Sequence, residues 1–278
     1  MRFVAVGDVF VDVVCAASPG PGERVHADVS LRAGGSAVNA ALTAAGLGAA
    51  ASVVGRIGSD PAGELVAASL VAAGVAGNLA RDEELHTGVA VVLLGPGGAS
   101  VVADRGANAA LSTSDVPEPL DTDVLFVSGF ALFQAGSDQA AQAALDRFTG
   151  DWAGVDLASP GLAANVDLDA VARVAKVVFA TTAEAKAATG AGPEEAVRAL
   201  AEAFTIGCVK LGPEGALAAQ GDVVERRAAP LVDRRSPFGA GDAFAAAFLL
   251  ALAGGDSLGD ALERACDAGA RAAAGPSG

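Results

Sequence analysis

The chain contains no tyrosine, one tryptophan, one methionine and three cysteines among its 278 residues. Cys15, Cys208 and Cys266 are an odd number without the spacing of metal ligands, which is typical of a protein in a reducing cytoplasm. Basic residues are also scarce, because 18 Lys and Arg stand against 33 Asp and Glu and leave a formal net charge of −15. This charge argues against nucleic acid or an anionic membrane surface as a partner.

Long hydrophobic runs are missing as well. Although 52% of the residues are hydrophobic, no stretch approaches the roughly 18 unbroken apolar residues that predict a membrane span. The apolar run at residues 3–6 is too short for the hydrophobic region of a signal peptide. We therefore expect a cytoplasmic protein with a buried core. Any anionic nucleotide that it binds must be held by local groups such as loop amides, helix ends and a few cations.

A regular alternation of strands and helices predicts the fold class. Strands are predicted at residues 3–6, 9–14, 52–57, 123–129, 154–157, 177–180, 206–211, 216–220 and 223–228. Helices are predicted at residues 36–48, 61–73, 139–148, 168–174, 183–189, 194–204, 243–253 and 258–274. This order indicates an α/β fold in which helices cover both faces of a mostly parallel sheet.

Three further segments alternate apolar and polar residues with a period of two. They are residues 25–33, 88–94 and 99–105, and the alternation predicts strands. The pattern alone leaves open whether they are edge strands of the main sheet or belong to a separate small sheet.

The most informative stretch is SPFGAGDAF at residues 236–244, which leads directly into an apolar helix. The first turn of a helix offers unpaired N–H groups and the positive end of the helix dipole, which together attract an anion. Gly239 and Gly241 have no Cβ, so a phosphate can approach their backbone closely. Asp242 beside such a site fits a base that accepts the proton of an attacking hydroxyl. The same pattern is also typical of an Asp N-cap in an ordinary helix.

Four ordered motifs resemble those of the ribokinase-like (PfkB) carbohydrate kinases. They are GGSAVNAA at residues 34–41, GRIGSD at 55–60, KLGPEGA at 210–216 and GAGDAF at 239–244. The resemblance covers nearly the whole chain. It implies a three-layer α/β/α fold formed by residues 1–278, with the strands of a small β lid inserted at about residues 12–33 and 87–105. It also implies dimerisation through the outer face of the lid.

The resemblance implies an ATP-dependent kinase that phosphorylates a monosaccharide or a sugar acid and uses ATP and Mg²⁺. Asp242 would then be the base, and Gly239, Ala240 and Gly241 would form the anion hole for the transferred phosphate. The implied substrate-binding residues are Asp12, Gly34, Gly35, Asn39 and Arg105. The implied nucleotide-binding residues are Lys210, Gly212 and Gly215, and Glu184 is the implied metal-site residue.

Several residues depart from the family pattern. Thr181 stands where the Asn of an Asn-x-x-Glu motif is expected, and Phe10 and Ser36 replace an Asn and a Lys of ribokinases. Ser236-Pro237-Phe238 stands where the family reads Asp-Thr-Thr, which predicts weak dependence on potassium. A nucleoside kinase and a non-catalytic sugar-binding regulator are the alternative functions. The sequence argues against a nicotinamide dehydrogenase, since no Gly-x-Gly-x-x-Gly joins the first strand to a helix.

Three of the implied site residues also have ordinary structural interpretations. Arg105 could be a solvated surface charge, and Glu184 could be an acid that the dipole favours in the first turn of a helix. Lys210 could extend from a strand end into solvent. The Gly212–Gly215 turn is the safer marker of the nucleotide side.

Overall fold

The computed structural model describes residues 1–95, 98–233 and 238–275, and their strands form two sheets. The larger sheet contains β1 (Arg2–Val6), β4 (Ala50–Gly58), β5 (Ala76–Asp82), β8 (Val124–Val127), β9 (Trp152–Asp156), β10 (Val177–Thr181), β11 (Ile206–Lys210), β12 (Ala216–Gln220) and β13 (Val223–Arg227). The smaller sheet contains β2 (Phe10–Cys15), β3 (Val29–Gly34), β6 (Gly88–Gly95) and β7 (Gly98–Asp104).

The large sheet has the strand order β13-β12-β11-β10-β9-β8-β1-β4-β5. All neighbours from β11 to β5 pair in parallel, whereas β12 and β13 add an antiparallel hairpin at one edge. The predicted α/β class with a mostly parallel sheet is confirmed.

The helices are α1 (Ser36–Gly46), α2 (Pro61–Ala72), α3 (Gly129–Leu132), α4 (Asp138–Arg147), α5 (Pro160–Ala163), α6 (Leu168–Ala172), α7 (Thr182–Thr189), α8 (Pro193–Ala203), α9 (Ala240–Ala253) and α10 (Leu258–Ala274). Local sequence explains several helix starts. The carboxylate of Asp60 accepts a hydrogen bond of 2.8 Å from the Gly63 N–H at the start of α2, and Pro61 occupies the first turn, where a missing N–H does no harm. Within the described ranges, no helix is long and apolar enough to cross a membrane.

The core lies on both faces of the large sheet. Because successive side chains of a strand point to opposite faces, Phe3 and Ala5 of β1 join one apolar cluster, while Val4 and Val6 join the other. Helices α1, α2, α9 and α10 cover the first face, and α4, α7 and α8 cover the second. This burial on both sides explains the near-continuous apolar strands of the sequence.

Two edge-to-face aromatic contacts hold α9 against the first face. The Phe179 ring of β10 lies 6.1 Å from the Phe244 ring and 5.7 Å from the Phe248 ring, measured between centroids. Pairs at such distances and angles stabilise a core beyond the area that they bury. They fix the helix whose first turn carries Asp242.

The small sheet has the order β3-β2-β6-β7. Strand β2 pairs with β3 in antiparallel and with β6 in parallel orientation, and β6 and β7 form a hairpin. The segments with period-two alternation therefore pair with one another and with β2, not with the edge of the large sheet. Strand β3 begins at Val29, later than the predicted start at residue 25.

Strand β5 was not predicted. It pairs in parallel with β4 at the edge of the large sheet, although Gly77 and Asn78 are residue types that are depleted in strands. Tertiary pairing overrides the weak local propensity here. The short helices α3 and α5, of four residues each, also lie outside the predicted helices.

Candidate active site

Two clefts meet at the first turn of α9. The first, named here the small-sheet cleft, is a cavity of about 460 Å³ between the small sheet and the carboxyl ends of the large sheet. Its polar lining includes Asp8, Asp12, Ser36, Asn39, Arg105 and Asp242. Its apolar lining includes Phe10, Ala90, Val92, Val101, Phe130 and Phe238. The predicted residue Gly35 also lines this cleft.

The second cavity, of about 430 Å³, is named here the α9–α10 cleft. Its lining includes Thr181, Lys210, Gly212, Gly215, Ala240 and Gly241. An apolar wall formed by α9 and α10 includes Phe244, Ala270 and Ala273. The GAGD stretch therefore contributes to both cavities, since Gly239 and Asp242 line the first cleft while Ala240 and Gly241 line the second.

Asp242 is held by a side chain from the other end of the fold. Asn39 Nδ2 of α1 donates a hydrogen bond of 3.0 Å to Asp242 Oδ2. Burial raises the pKa of the Asp242 carboxyl above its ordinary value, although the Asn39 hydrogen bond and the charge of Lys210 oppose the rise. The carboxyl is thus a stronger proton acceptor than one in water.

Asp242 does not cap α9. The N-cap is Gly239, whose φ of 78° lies in the left-handed region that favours glycine, and no side chain among the described residues caps this helix. The N–H groups of the first turn therefore stay available to an anion.

Lys210 supplies a cation beside those N–H groups. A Cβ built on Gly241 would lie only 3.0 Å from Lys210 Nζ, so the ammonium lies against the first turn of α9. No carboxylate of the described residues forms an ion pair with it. A cation beside a helix N-terminus attracts an anion.

Asp12 lies on the inward face of the small sheet, with only 5% of its surface exposed. Its Oδ2 is 3.5 Å from Arg32 Nε on β3. Burial raises the pKa of Asp12 to about 6, and nearby Arg32 limits the rise. Gly34 packs directly against this carboxylate, so a side chain at position 34 would displace it. Gly34 thus makes room for Asp12.

Arg105 lines the small-sheet cleft, but its guanidinium is already engaged. Nε and Nη2 donate hydrogen bonds of 3.1 and 2.9 Å to the two oxygens of buried Asp8, and Nη2 also donates one of 2.6 Å to Ser137 Oγ. The bidentate pair joins the end of β1 to the end of β7.

The sequence model of the pfkB family of carbohydrate kinases matches residues 2–277. The chain belongs to this family. None of the curated proteins matches the chain.

Solved structures of a fructokinase, a ribokinase and an adenosine kinase share the fold. A fructokinase from Vibrio cholerae, in a form with fructose, ADP and calcium ion bound, is 27% identical, with a TM-score of 0.83 over 98% of this chain and 93% of that one. A ribokinase from Thermotoga maritima is 23% identical, with a TM-score of 0.83 over 99% and 93% of the two chains. An adenosine kinase from Sinorhizobium meliloti is 22% identical, with a TM-score of 0.84 over 96% and 92%.

Glu184, the metal-site residue that the pfkB resemblance implies, forms a capping box at the start of α7. Its Oε2 accepts a hydrogen bond of 2.8 Å from the Thr181 N–H, and Thr181 Oγ1 accepts one of 3.3 Å from the Glu184 N–H. Among the described residues no donor bonds Oε1. No group of three or more His, Cys, Asp and Glu in the described ranges is placed to hold a metal ion.

Asp156 and Gln134 were not predicted as site residues from the sequence. Asp156 ends β9, and its buried Oδ1 accepts a hydrogen bond of 2.8 Å from the Gly129 N–H. Burial raises its pKa to about 7, against the attraction of Lys210. A lone Asp that ends a buried parallel strand was an available signal. Gln134 lies in the loop after α3, and no sequence pattern marked it as a site residue.

The segment Ser236-Pro237-Phe238 stands where the family reads Asp-Thr-Thr. Its first two residues, Ser236 and Pro237, lie outside the described residues. The third, Phe238, lines the small-sheet cleft.

Proposed function

We propose that this protein transfers the γ-phosphoryl group of ATP to a hydroxyl group of a sugar or of a sugar-bearing molecule. The observation that carries the proposal is the position of the first turn of α9, which lines both clefts and holds Asp242 on one side and Ala240 and Gly241 on the other. An acceptor and a nucleotide bound in the two clefts would meet at this turn.

On the acceptor side, Asp242 is the base. It takes the proton of the acceptor hydroxyl as the oxygen forms its bond to the γ-phosphorus, and the bond from that phosphorus to the β-bridging oxygen breaks to release ADP. Side-chain hydrogen bonds from Asn39 and Ser36 orient the carboxylate in the cleft that would hold the acceptor. Asp12 and Asn39 would bind other hydroxyls of the acceptor, because each offers polar atoms in the same cleft.

On the phosphate side, backbone N–H groups from Gly239 to Gly241 form the anion hole. Lys210 adds a positive charge beside Gly241, and fixed donors of this kind stabilise the charge that the phosphoryl group carries during transfer. Such local groups are needed because the whole chain carries a formal net charge of −15.

The α9–α10 cleft suits the remainder of the nucleotide. The apolar wall with Phe244 and Ala270 can cover the adenine, and the Gly212–Gly215 turn allows close approach of the chain to the ligand. Gly212 and Gly215 both have positive φ, of 63° and 99°, so the turn depends on glycine.

Mg²⁺ in phosphoryl-transfer enzymes is held by one or two carboxylates, waters and the substrate phosphates, so a full cage of protein ligands is not required. Glu184, through its free Oε1, and Thr181, through a water, are the residues that would hold it. The ion would neutralise charge on the phosphates.

The proposal is tested by measuring ATP consumption by the purified chain across pentoses, hexoses, 2-keto-3-deoxy acids and nucleosides. We expect ADP formation that depends on one class of acceptor, together with a phosphorylated product in equal amount. A protein that binds a sugar but forms no ADP with any acceptor would be a regulator, and the proposal would be wrong.

A further inference from the structure

We propose that the small-sheet cleft selects a nucleoside, a neutral sugar that bears a planar ring with N–H donors, and that Gln134, Phe10 and Phe130 recognise this ring. The inference rests on the proposed function and narrows its acceptor. Three independent features of the cleft support it: an unsatisfied amide, an aromatic wall and the balance of charges.

The side-chain oxygen Oε1 of Gln134 has no hydrogen-bond partner among the described residues. Gln134 lines the small-sheet cleft, yet its Oε1 is the only fully buried side-chain nitrogen or oxygen in the described ranges without a partner. Buried polar atoms are nearly always paired, so this oxygen requires a partner such as an ordered water or a ligand group. The terminal torsion of Gln is broad, and a rotation about it would present the amide to the cavity when a ligand is bound. An amide can bond a ring edge that offers an N–H beside an acceptor, as nucleobases do.

The aromatic wall faces the same cavity. The Phe10 ring is fixed from two sides, since a Cβ built on Gly35 would lie 3.3 Å from its Cδ2 and one built on Gly88 would lie 2.7 Å from its Cδ1. Phe130 lies four residues before Gln134 and lines the cleft with it, and Ala90 and Val92 extend the apolar surface along β6. A free monosaccharide carries polar groups on nearly every carbon and would leave them unpaired here. A planar ring would bury its faces against such a wall.

The charges of the described lining disfavour an anionic acceptor. The charged residues of that lining are Asp8, Asp12, Asp242 and Arg105. The Arg105 guanidinium is bonded through both Nε and Nη2 to Asp8, and Arg32 Nε lies 3.5 Å from Asp12 Oδ2. Among these described residues, the carboxylate of a sugar acid would meet Asp12 and Asp242 and would find no unpaired cation. A neutral acceptor avoids this repulsion.

The polar and the apolar lining of the cleft then match the two parts of a nucleoside. Asp12, Asn39 and Asp242 offer polar partners to sugar hydroxyls, and Phe10, Phe130 and Gln134 offer an apolar face and a polar edge to a base. A site built to bond a polar group rejects analogues that lack that group, because its own atoms then stay unpaired. Free ribose would therefore be a poor substrate.

The first experiment measures kcat/KM of the full chain for purine and pyrimidine nucleosides, ribose, fructose and 2-keto-3-deoxygluconate. Binding of the same compounds is measured by calorimetry without ATP. We expect at least one nucleoside to bind and to exceed ribose by 100-fold or more in kcat/KM. If ribose, fructose or the sugar acid is preferred, the inference is wrong and the proposed kinase function stands. If a nucleoside binds but no acceptor is phosphorylated, the kinase function is wrong. Absence of nucleoside binding overturns the inference whatever the activity.

The second experiment tests the role of Gln134 with two matched variants. Gln134→Leu removes the amide at similar volume, and we expect it to lower the nucleoside-to-ribose ratio of kcat/KM at least tenfold without loss of thermal stability, because it also removes an unsatisfied buried group. Gln139→Leu makes the same change at an exposed position of α4 and should leave the ratio unchanged. Phe130→Leu, which removes part of the aromatic wall, should lower the ratio as well. If the nucleoside-to-ribose ratio of kcat/KM is unchanged in both Gln134→Leu and Phe130→Leu, these two residues do not recognise the ring.

Discussion

Asn39 and Asp242 are 203 positions apart in the chain, and a hydrogen bond of 3.0 Å from Asn39 Nδ2 to Asp242 Oδ2 joins them. The bond connects the first turns of α1 and α9, which each follow a glycine with positive φ, Gly35 and Gly239. Each of the two glycine-rich turns therefore positions a side chain of the same small-sheet cleft.

The first prediction separates binding from chemistry at Asp242. Asn keeps the shape of the side chain and can still accept the hydrogen bond from Asn39, but it cannot take a proton at neutral pH. Asp242→Asn should therefore bind ATP and acceptor while kcat falls by about 10²-fold or more. Steady-state kinetics and calorimetry measure the two effects. Asp222→Asn, at the exposed turn between β12 and β13, is the matched control and should leave kcat unchanged. A near-normal kcat in Asp242→Asn would show that Asp242 is not the base.

The second prediction concerns the pH dependence of acceptor binding at Asp12. Its pKa is raised to about 6, so the carboxylate that accepts strong hydrogen bonds from hydroxyls is present above about pH 6 and is lost below it. KM for the acceptor should rise as the pH falls through this value, whereas KM for ATP should not. Asp12→Asn should raise KM for the acceptor and flatten its pH profile. A profile that is identical in the two proteins would exclude Asp12 from the binding site.

The third prediction follows from the burial of Asp156. Its pKa rises from an ordinary value of 3.8 to about 7, so the unfolded chain releases this proton at lower pH than the folded chain does. The stability that this group contributes is complete below about pH 4 and is lost as the pH rises toward 7, by at most about 1.4 kcal/mol per pH unit.

Asp156→Asn cannot ionise and can still accept the Gly129 hydrogen bond. Relative to the wild type, it should gain more stability at pH 8 than at pH 4.5, and urea unfolding without nucleotide or divalent ions measures the difference. An equal effect at both values would show that Asp156 ionises freely in the folded protein.

The fourth prediction is dimerisation through the outer face of the small sheet. Strand register places Leu31, Val13, Val91 and Val102 in one row across β3, β2, β6 and β7. Leu31 and Val102 are 59% and 70% exposed, an apolar surface that a second copy of the chain can cover. We expect a dimer in sedimentation velocity that Val102→Glu dissociates. Val71→Glu, at a position of α2 that is 76% exposed, should not do so, and a monomeric wild type would contradict the prediction.

The fifth prediction is weak dependence on potassium. Ser236 replaces the Asp that the family resemblance assigns to a cation site, and Pro237 restricts both its own backbone and that of Ser236. Both residues lie outside the described ranges, and Asp233, three positions upstream of Ser236, is the residue that could substitute. The measurement compares kcat/KM in sodium, potassium and tetramethylammonium at equal ionic strength. Tenfold stimulation by potassium, worth about 1.4 kcal/mol of transition-state stabilisation, would contradict it.

Short-range sequence patterns predicted most of the helices and strands. The helix that follows Gly239 and the hairpin about Gly221 were predicted nearly to their observed bounds, because glycine turns and apolar runs act over a few residues. Strand β5 was missed because Gly77 and Asn78 disfavour a strand, and only the pairing with β4 makes them one.

The site was predictable only where residue type and motif coincide. Asp12 and Asn39 were named through the family resemblance, and both line the small-sheet cleft with Asp242. The Asp8–Arg105 pair joins positions 97 apart, and no local pattern encodes such a contact. No pattern in the residues around Gln134 marks it as a site residue. It lines the cleft only because β2 and β6, which are distant in sequence, complete that cleft.

The two clefts at α9 draw their walls from different parts of the fold, and this division bears on how new substrates can be acquired. The small sheet contributes much of the small-sheet cleft, whereas α9, α10 and the end of β11 line the α9–α10 cleft. Under the proposed function, substitutions in Phe10–Cys15 or Gly88–Gly95 would alter which acceptor enters and would leave the lining of the α9–α10 cleft unchanged. Directed evolution toward new acceptors is best confined to those strands and to the loop that carries Gln134.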